Sequence, residues 1–453
     1  MLFFYNFIKN QLLMKLLLKV VVLLFCINIG FSQENFVFST SKTKTKLSFK
    51  LVNNLIIIPI EVNGVSLNFL LDTGVSETIL FSIDESQTLT FQNTEKIKIS
   101  GFGQKEPIDA FKSSGNTLRI KNLIDKNHAI YLVLDQDINI SSQIGLPVNG
   151  IIGQHFFQNH LVEIDYISKK IILSIPNDKR NLKKLNKFSK FDISIEKGRP
   201  YMYSFVNQKK EQDSIKCKML VDTGNSEAVW LFTFANPKIK VPEPFVSDYL
   251  GRGICGDVFG KRGRIEKFKL SEFSFNQPLV SFPNAESSEN FDNTTERVGS
   301  IGSELLRRFK IIFDYPNNAI YLKKNSNYKN PFTYNMSGIE IEHSGLQWFK
   351  EEYEVKKDRE NSTYVFENEP KIGYKFRLKP IFIVSNIRLD SPGAKAGLQK
   401  DDIFLKINGN QASNYNLQEL NDILKSGEGK EINLEIERKS KIIKFTFLLQ
   451  NIL

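Results

Sequence analysis

Two blocks of this 453-residue sequence share one layout. "FLLDTGVSETILF" fills residues 69–81 and "MLVDTGNSEAVWLF" fills residues 219–232. Each is an apolar strand, an Asp-Thr-Gly and a second apolar strand, with Asp72 in the first block and Asp222 in the second. A lone tripeptide of common residues would constrain little, but three further landmarks recur in the same order. "SGFGQ" sets Gly101 and Gly103 after Asp72, and "LGRGIC" sets Gly251 and Gly253 after Asp222 at the same interval. "GIIGQHFF" then opens at Gly150 and "GSIGSELL" at Gly299, and their distances from the two aspartates differ by a single position. "LVEIDYISKKIIL" and "KIIFDYPNNAIYL" close the two units. Four landmarks in one order, with so little slippage, mean an internal duplication.

The local patterns inside each unit are β. "LIIIPIEVNGVSLNFLLDTG" reads as two strands joined at Asn63-Gly64, a strong hairpin signal. "EKIKISGFGQKEPIDAF" reads as a hairpin with a glycine-rich tip, and only "GQHFFQNHL" and "GSELLRRF" look helical. The expected fold is therefore mainly β, with duplicated lobes at residues 36–178 and 191–330 and a small α+β module at 337–450. The basic run "KRNLKKLNKFSK", residues 179–190, reads as a solvated linker between the lobes.

These paired motifs resemble the aspartic proteases of the retropepsin and pepsin-like fold, in which two homologous β lobes each supply one Asp-Thr-Gly loop. The resemblance covers roughly residues 36–325. It implies that Asp72 and Asp222 form a carboxylate dyad, with no metal and no cofactor. Thr73 and Thr223 would brace the two loops, while Gly74 and Gly224 would let backbone N–H groups approach the carboxylates. Ile151, Ile152 and Gly153, and Ser300, Ile301 and Gly302, match the segment that crosses behind each loop in that family. Gly101, Phe102, Gly103, Gly251, Gly253 and Ile254 match flap positions over the cleft. The family places Ser, Thr or Ala after the glycine, where this chain has Val75 and Asn225; Asn225, Ser76 or Ser226 could bond an aspartate instead. Asp165 and Asp314 also repeat, but each precedes a turn, and hairpin geometry accounts for them.

Composition bounds the remaining classes. Hydrophobic and charged contents of 41% and 25% are those of a globular protein, and the net charge of +11 is spread along the chain. No interleaved aromatic and base-reading module accompanies it, so no nucleic-acid partner is expected. Residues 1–32 carry Lys15 and Lys19, the apolar run Val20 to Ile27, then Gly30 and Ser32. That is a signal-peptide layout with cleavage after Ser32, and its apolar run is shorter than the about 20 residues a membrane span needs. The mature protein is thus expected in the periplasm or cell envelope, or secreted, with no stable membrane span. Cys217 and Cys255 could pair there. The four histidines, His128, His155, His160 and His343, show no zinc-site spacing, and His155 and His160 read as core-edge or surface residues.

Beyond Ser337 the repeat ends. "SNIRLDSPGAKAGLQKDDIFLKINGNQ" resembles the core of PDZ domains found in exported bacterial proteases. Ser391-Pro392-Gly393 reads as a turn, residues 394–397 as a short helix, and "DDIFLKINGN" as a strand ending at an Asn-Gly turn. Asn416 and Glu419 form a capping-box start for a helix with Leu417, Leu420 and Leu424 on one face. "EINLEIERK" reads as the closing strand and residues 349–362 as an inserted loop. The resemblance implies a groove for a peptide or chain terminus, with Gly373, Tyr374 and Phe376 as its carboxylate loop and Leu417 on its helix.

The chain as a whole then reads as an exported bacterial aspartic endopeptidase with a PDZ domain, acting on peptides or proteins. Three other readings stay open: a catalytically silent peptide receptor of the same fold, a serine protease using the "GNSEA" serine, and an envelope scaffold in which the PDZ domain carries the function.

Overall fold

The computed structural model describes residues 35–83, 88–101, 103, 107–133, 140–176, 178–211, 213–288, 295–354 and 372–453. The expected signal segment lies outside them, as does Phe102.

The chain is mainly β, and the duplication shows in its sheets. In the first lobe Leu55–Val62 and Val65–Leu71 pair as a hairpin through Val62 and Val65. Asn63 and Gly64 take φ of 46° and 91°, the left-handed pair that a two-residue turn requires. Gly150–Ile152 runs parallel to Val65–Leu71 and antiparallel to Thr78–Leu80. The second lobe repeats this with Gly299–Ile301 between Ile215–Val221 and Val229–Leu231. Residues between the two outer strands therefore form a loop closed from behind by a third, and each Asp-Thr-Gly sits in such a loop.

The last landmark of the repeat is the seam between the lobes. Leu161–Asp165 pairs antiparallel with Phe309–Asp314, Ile164 opposite Ile311, at the centre of a six-stranded sheet drawn from both lobes. Lys310 joins this seam by bonding Asp165 at 2.7 Å and Glu163 at 3.2 Å. Asp165 also caps its turn through the N–H groups of Ile167 and Ser168, and Asp314 does so through Asn317.

Several expectations need correction. The basic run is not a bare linker: Lys179–Leu185 is helical, and Leu185 is buried against Leu161 and Ile312. A further helix, Ile140–Ile144, stands where no helix was expected; Gly145, at φ +72°, ends it. In the C-terminal module the helix is Pro392–Ala396, starting earlier than expected because Ser391 caps it and proline suits the first turn. The Asn416–Glu419 capping box is present, and Leu417, Leu420 and Leu424 are buried. Glu431–Arg438 does not close the sheet, since Lys441–Leu448 pairs outside it. Residues 349–354 continue the strand Ile339–Glu354, which forms a long hairpin with Ile372–Ile387.

An aromatic cluster fills the second lobe beneath the segment that leads to the C-terminal module. Phe273, Phe275, Phe309 and Tyr328 cluster there, and Arg308, 1% exposed, lies over the Phe332 ring. Among the described residues no helix is long and apolar enough to cross a membrane.

Candidate active site

Asp72 and Asp222 leave their strands at equivalent points, and each N–H donates to the crossing strand behind it. Asp72 donates to the Ile152 carbonyl at 3.0 Å and Asp222 to that of Ile301 at 2.9 Å. The predicted crossing segments are thus the ones that set the loops.

Thr73 and Thr223 are fully buried and bonded crosswise. Each backbone N–H donates to the other threonine's hydroxyl at 3.0 Å. Each hydroxyl then donates to the strand opposite, Thr73 to the Val221 carbonyl at 2.6 Å and Thr223 to that of Leu71 at 2.8 Å. The two loops are locked face to face. The carboxylates consequently meet and share a hydrogen bond.

The glycines are required here by space. A Cβ on Gly224 would stand 2.2 Å from an Asp72 carboxylate oxygen, and one on Gly74 2.9 Å from an Asp222 oxygen. Each carboxylate lies over the glycine of the other loop.

The pair is not symmetric. Burial pushes both carboxyls up, and the neighbouring Asp222 charge pushes Asp72 further. Asp72 receives one backbone N–H, from Gly74 at 2.7 Å, and Val75 supplies no hydroxyl. Asp222 receives two, from Gly224 and Asn225 at 3.1 Å each, and the Arg297 guanidinium lies close enough to favour its ionised form. The shared proton therefore resides on Asp72. Asn225 acts through its backbone; its side chain accepts from Glu227 instead. Ser76 donates to the Lys197 carbonyl rather than to an aspartate.

Two glycine-tipped hairpins roof the cleft. Thr94–Ile99 with Ile108–Ile120 forms one, Phe245–Gly253 with Gly256–Arg264 the other. Their tips touch: a Cβ on Gly101 would meet Ile254 at 3.3 Å, and one on Gly103 would collide with Cys255 and Gly256. Ile254 packs into the apolar cluster at the base of the first hairpin as well as lining the cleft. Gly251 and Gly253 also line the cleft. Cys217 and Cys255 are both buried and are not joined in a disulfide.

The C-terminal module forms a third wall. The cavity, about 870 Å³, reaches from the dyad to Gln418, Asn421, Asp422 and Lys425 on the helix Leu417–Leu424. That helix is docked on the first lobe, where Gln418 accepts from the Asn53 N–H at 2.5 Å. Leu417 does not line an open groove: it is 2% exposed and faces Gly145. The helix Ile140–Ile144 packs along the strand Ile339–Glu354. The space between strand and helix, where a peptide would add to such a module, is thus filled by residues 140–145 of the same chain. Gly373, Tyr374 and Phe376 form no carboxylate loop either. They lie in the distal hairpin arm opposite Tyr353, Glu352 and Lys350, with Tyr374 and Phe376 exposed.

A buried charge network ties this module to the Asp222 loop. Arg388 bonds Asp248 at 3.2 Å, Arg262 bonds Asp248 and Glu227 at 2.8 Å each, and Ser281 bonds Glu227. Burial, with the Asp248 charge next, pushes the Glu340 carboxyl beside them up to about 7. Sequence reasoning missed this network because its members are scattered along the chain from Glu227 to Arg388.

One other polar cluster resembles a catalytic relay. His128 bonds Asp125 at 2.8 Å and Thr78 at 2.7 Å. Thr78 and His128 are fully buried, so the relay reaches no substrate and serves the core. His160 is buried rather than at the surface. Among the described residues no three His, Cys, Asp or Glu side chains are placed to hold a metal ion.

Residues 58–156 match the family model described as aspartyl protease, and residues 383–438 match that described as PDZ domain. The chain thus carries an aspartyl protease domain followed by a C-terminal PDZ domain. The first match contains the Asp72 loop and ends just past the crossing segment. The second lobe lies outside it and is tied to it by the internal repeat. No curated protein matches the chain.

Proposed function

We propose that this protein is an exported aspartic endopeptidase whose PDZ domain forms part of the substrate cleft. The observation that carries the reading is the contact of Asp72 and Asp222 on the floor of one cleft, enforced by the crossed threonines. The ionised Asp222 takes a proton from a water as its oxygen attacks the peptide carbonyl. Asp72 gives its proton to the carbonyl oxygen, producing a gem-diol. Asp222 then protonates the amide nitrogen, the C–N bond breaks, and Asp72 recovers a proton from the diol. Export rests on the layout of residues 1–32, and the periplasm or cell envelope is the expected compartment. Hydrolysis of a mixed peptide set by the chain beginning at Gln33, with and without pepstatin, tests the proposal. Pepstatin-sensitive cleavage is expected. Peptides bound but left intact at every pH would assign a silent receptor instead.

A further inference from the structure

The two walls of the cleft differ most where the repeat predicts that they should match. Leu55 and Arg199 are each the first residue of the strand that follows the tight turn in their lobe. The registers agree, because Ile57 pairs with Leu70 and Tyr201 with Leu220, each partner two positions before its aspartate. Val148 and Arg297 each stand two positions before the glycine that opens the crossing strand. At both places the first lobe has an aliphatic residue and the second an arginine.

Both arginines line the cleft beside the dyad. Arg297 is 7% exposed, lies over the Phe232 ring and donates to the Gly299 carbonyl and the Ser300 hydroxyl. Arg199 is half-buried, and its Nε is enclosed with no hydrogen-bond partner among the described residues. The two guanidinium groups are close enough to repel, and both carboxylates of the dyad act on Arg297. The carboxylates of the second-lobe wall are engaged elsewhere, Glu227 with Arg262 and Glu304 with Arg307 and Arg308, while Glu77 lines the first-lobe side. A singly protonated dyad carries one negative charge against these two positive ones. On the second-lobe side of the dyad a substrate therefore meets positive charge. The opposite wall offers Leu51, Leu55, Leu70 and Ile151.

We propose that Arg199, supported by Arg297, selects substrates that place a carboxylate on the second-lobe side of the scissile bond, with an apolar residue on the first-lobe side. The inference rests on the peptidase reading and names the substrate class of that site. An internal Glu or Asp and a free chain terminus present the same group, so the peptides must separate them.

The test uses statine-containing peptides, which mimic the tetrahedral intermediate, and their cleavable counterparts. Each carries Glu or Gln next to the central position, on either side, in forms with a free or an amidated C-terminus. Binding by fluorescence anisotropy and kcat/KM are measured for wild type and Arg199→Met. Losing one partner of a desolvated charge pair corresponds to tens of fold or more in affinity. Wild type should therefore prefer Glu over Gln by roughly that factor on one side only, and Arg199→Met should abolish the preference by lowering kcat/KM and affinity for Glu peptides far more than for Gln peptides. A preference that follows only the free C-terminus would reassign the carboxylate from side chain to chain end. Equal handling of Glu and Gln by wild type overturns the proposal. So does an Arg199→Met change that lowers both alike and moves the pH profile, which would make Arg199 a positioning residue for the dyad. Selective binding without any cleavage supports the proposal and removes the peptidase reading, and neither binding nor cleavage removes both.

Discussion

Thr73 and Thr223 donate their backbone N–H groups to each other's hydroxyls at 3.0 Å, although they belong to different lobes. Neither group has access to water, so neither bond has a substitute. Thr223→Val keeps the shape but removes the acceptor for the Thr73 N–H and the donor for the Leu71 carbonyl. Each orphaned buried group costs about 1–3 kcal/mol. A lower denaturation midpoint with an unchanged m-value, together with reduced hydrolysis, is expected in chemical unfolding and peptide assays.

Asp72→Asn and Asp222→Asn should each lower kcat/KM for peptides by about 10²–10⁴-fold, since each removes one of two proton-handling groups. The amide is nearly the same size, and circular dichroism should show an intact fold. Ser226→Ala should have a far smaller effect, because Ser226 contributes its carbonyl to Asn54 and a serine-nucleophile reading alone requires its hydroxyl.

The buried carboxyl of Glu340 gives a stability signature with a definite sign. Its folded value is raised from 4.5 to about 7, by burial first and the Asp248 charge second, while Arg262 and Lys425 oppose the shift. Below pH 4.5 folded and unfolded states both hold the proton. Between 4.5 and about 7 the unfolded chain releases it while the folded chain keeps it, so stability falls as pH rises. Glu340→Gln should remove that slope and stabilise the protein by about 1–3 kcal/mol at pH 8, allowing for screening at a partly exposed site. A pH series of urea melts reads this directly. An unaltered slope would refute it.

Docking of the PDZ domain can be broken at two independent places. A side chain at Gly145 meets the Leu417 Cβ at 2.8 Å from a backbone at φ +72°, so Gly145→Val should wedge the helix Leu417–Leu424 off the first lobe. Arg388→Met leaves Asp248 buried with one guanidinium instead of two and should cost about 2–3 kcal/mol, less than loss of a sole partner. In both variants amide exchange of the helix Leu417–Leu424 should accelerate, and its surface should become open to added peptides that the intact chain excludes.

Where the chain repeats itself, its fold is legible in the sequence. The twin Asp-Thr-Gly loops, the crossing strands, the glycine-tipped hairpins and the Asn63-Gly64 turn all follow from short-range patterns with one physical solution each. The Asn416–Glu419 capping box was legible for the same reason. The PDZ groove was not. "KIGYKF" carries the look of a loop motif, yet it pairs along a strand whose partner begins at Ile339, and local composition does not report that register. Leu417 lies on the apolar face that the helix pattern required, but what covers that face is Gly145, from the other end of the chain. The arginines of the second wall did leave a trace. Aligning the two lobes puts Arg199 against Leu55 and Arg297 against Val148, a comparison that needs the structural register to be made with certainty.

The meeting of the two hairpin tips determines how anything could enter. Gly103 donates across the roof to the Ser287 carbonyl at 3.1 Å, and Ile254 reaches over to pack beneath the opposite hairpin. A peptide entering beneath the roof would break that bond and withdraw that side chain, and an unfolded, strand-like segment would be the slimmest form to follow. Under the proposed chemistry, turnover would be metered by the lifting of a latch rather than by bond cleavage. A compact protein would offer such an enzyme only its frayed ends and loose loops, so it would trim its substrates and leave their folded parts whole.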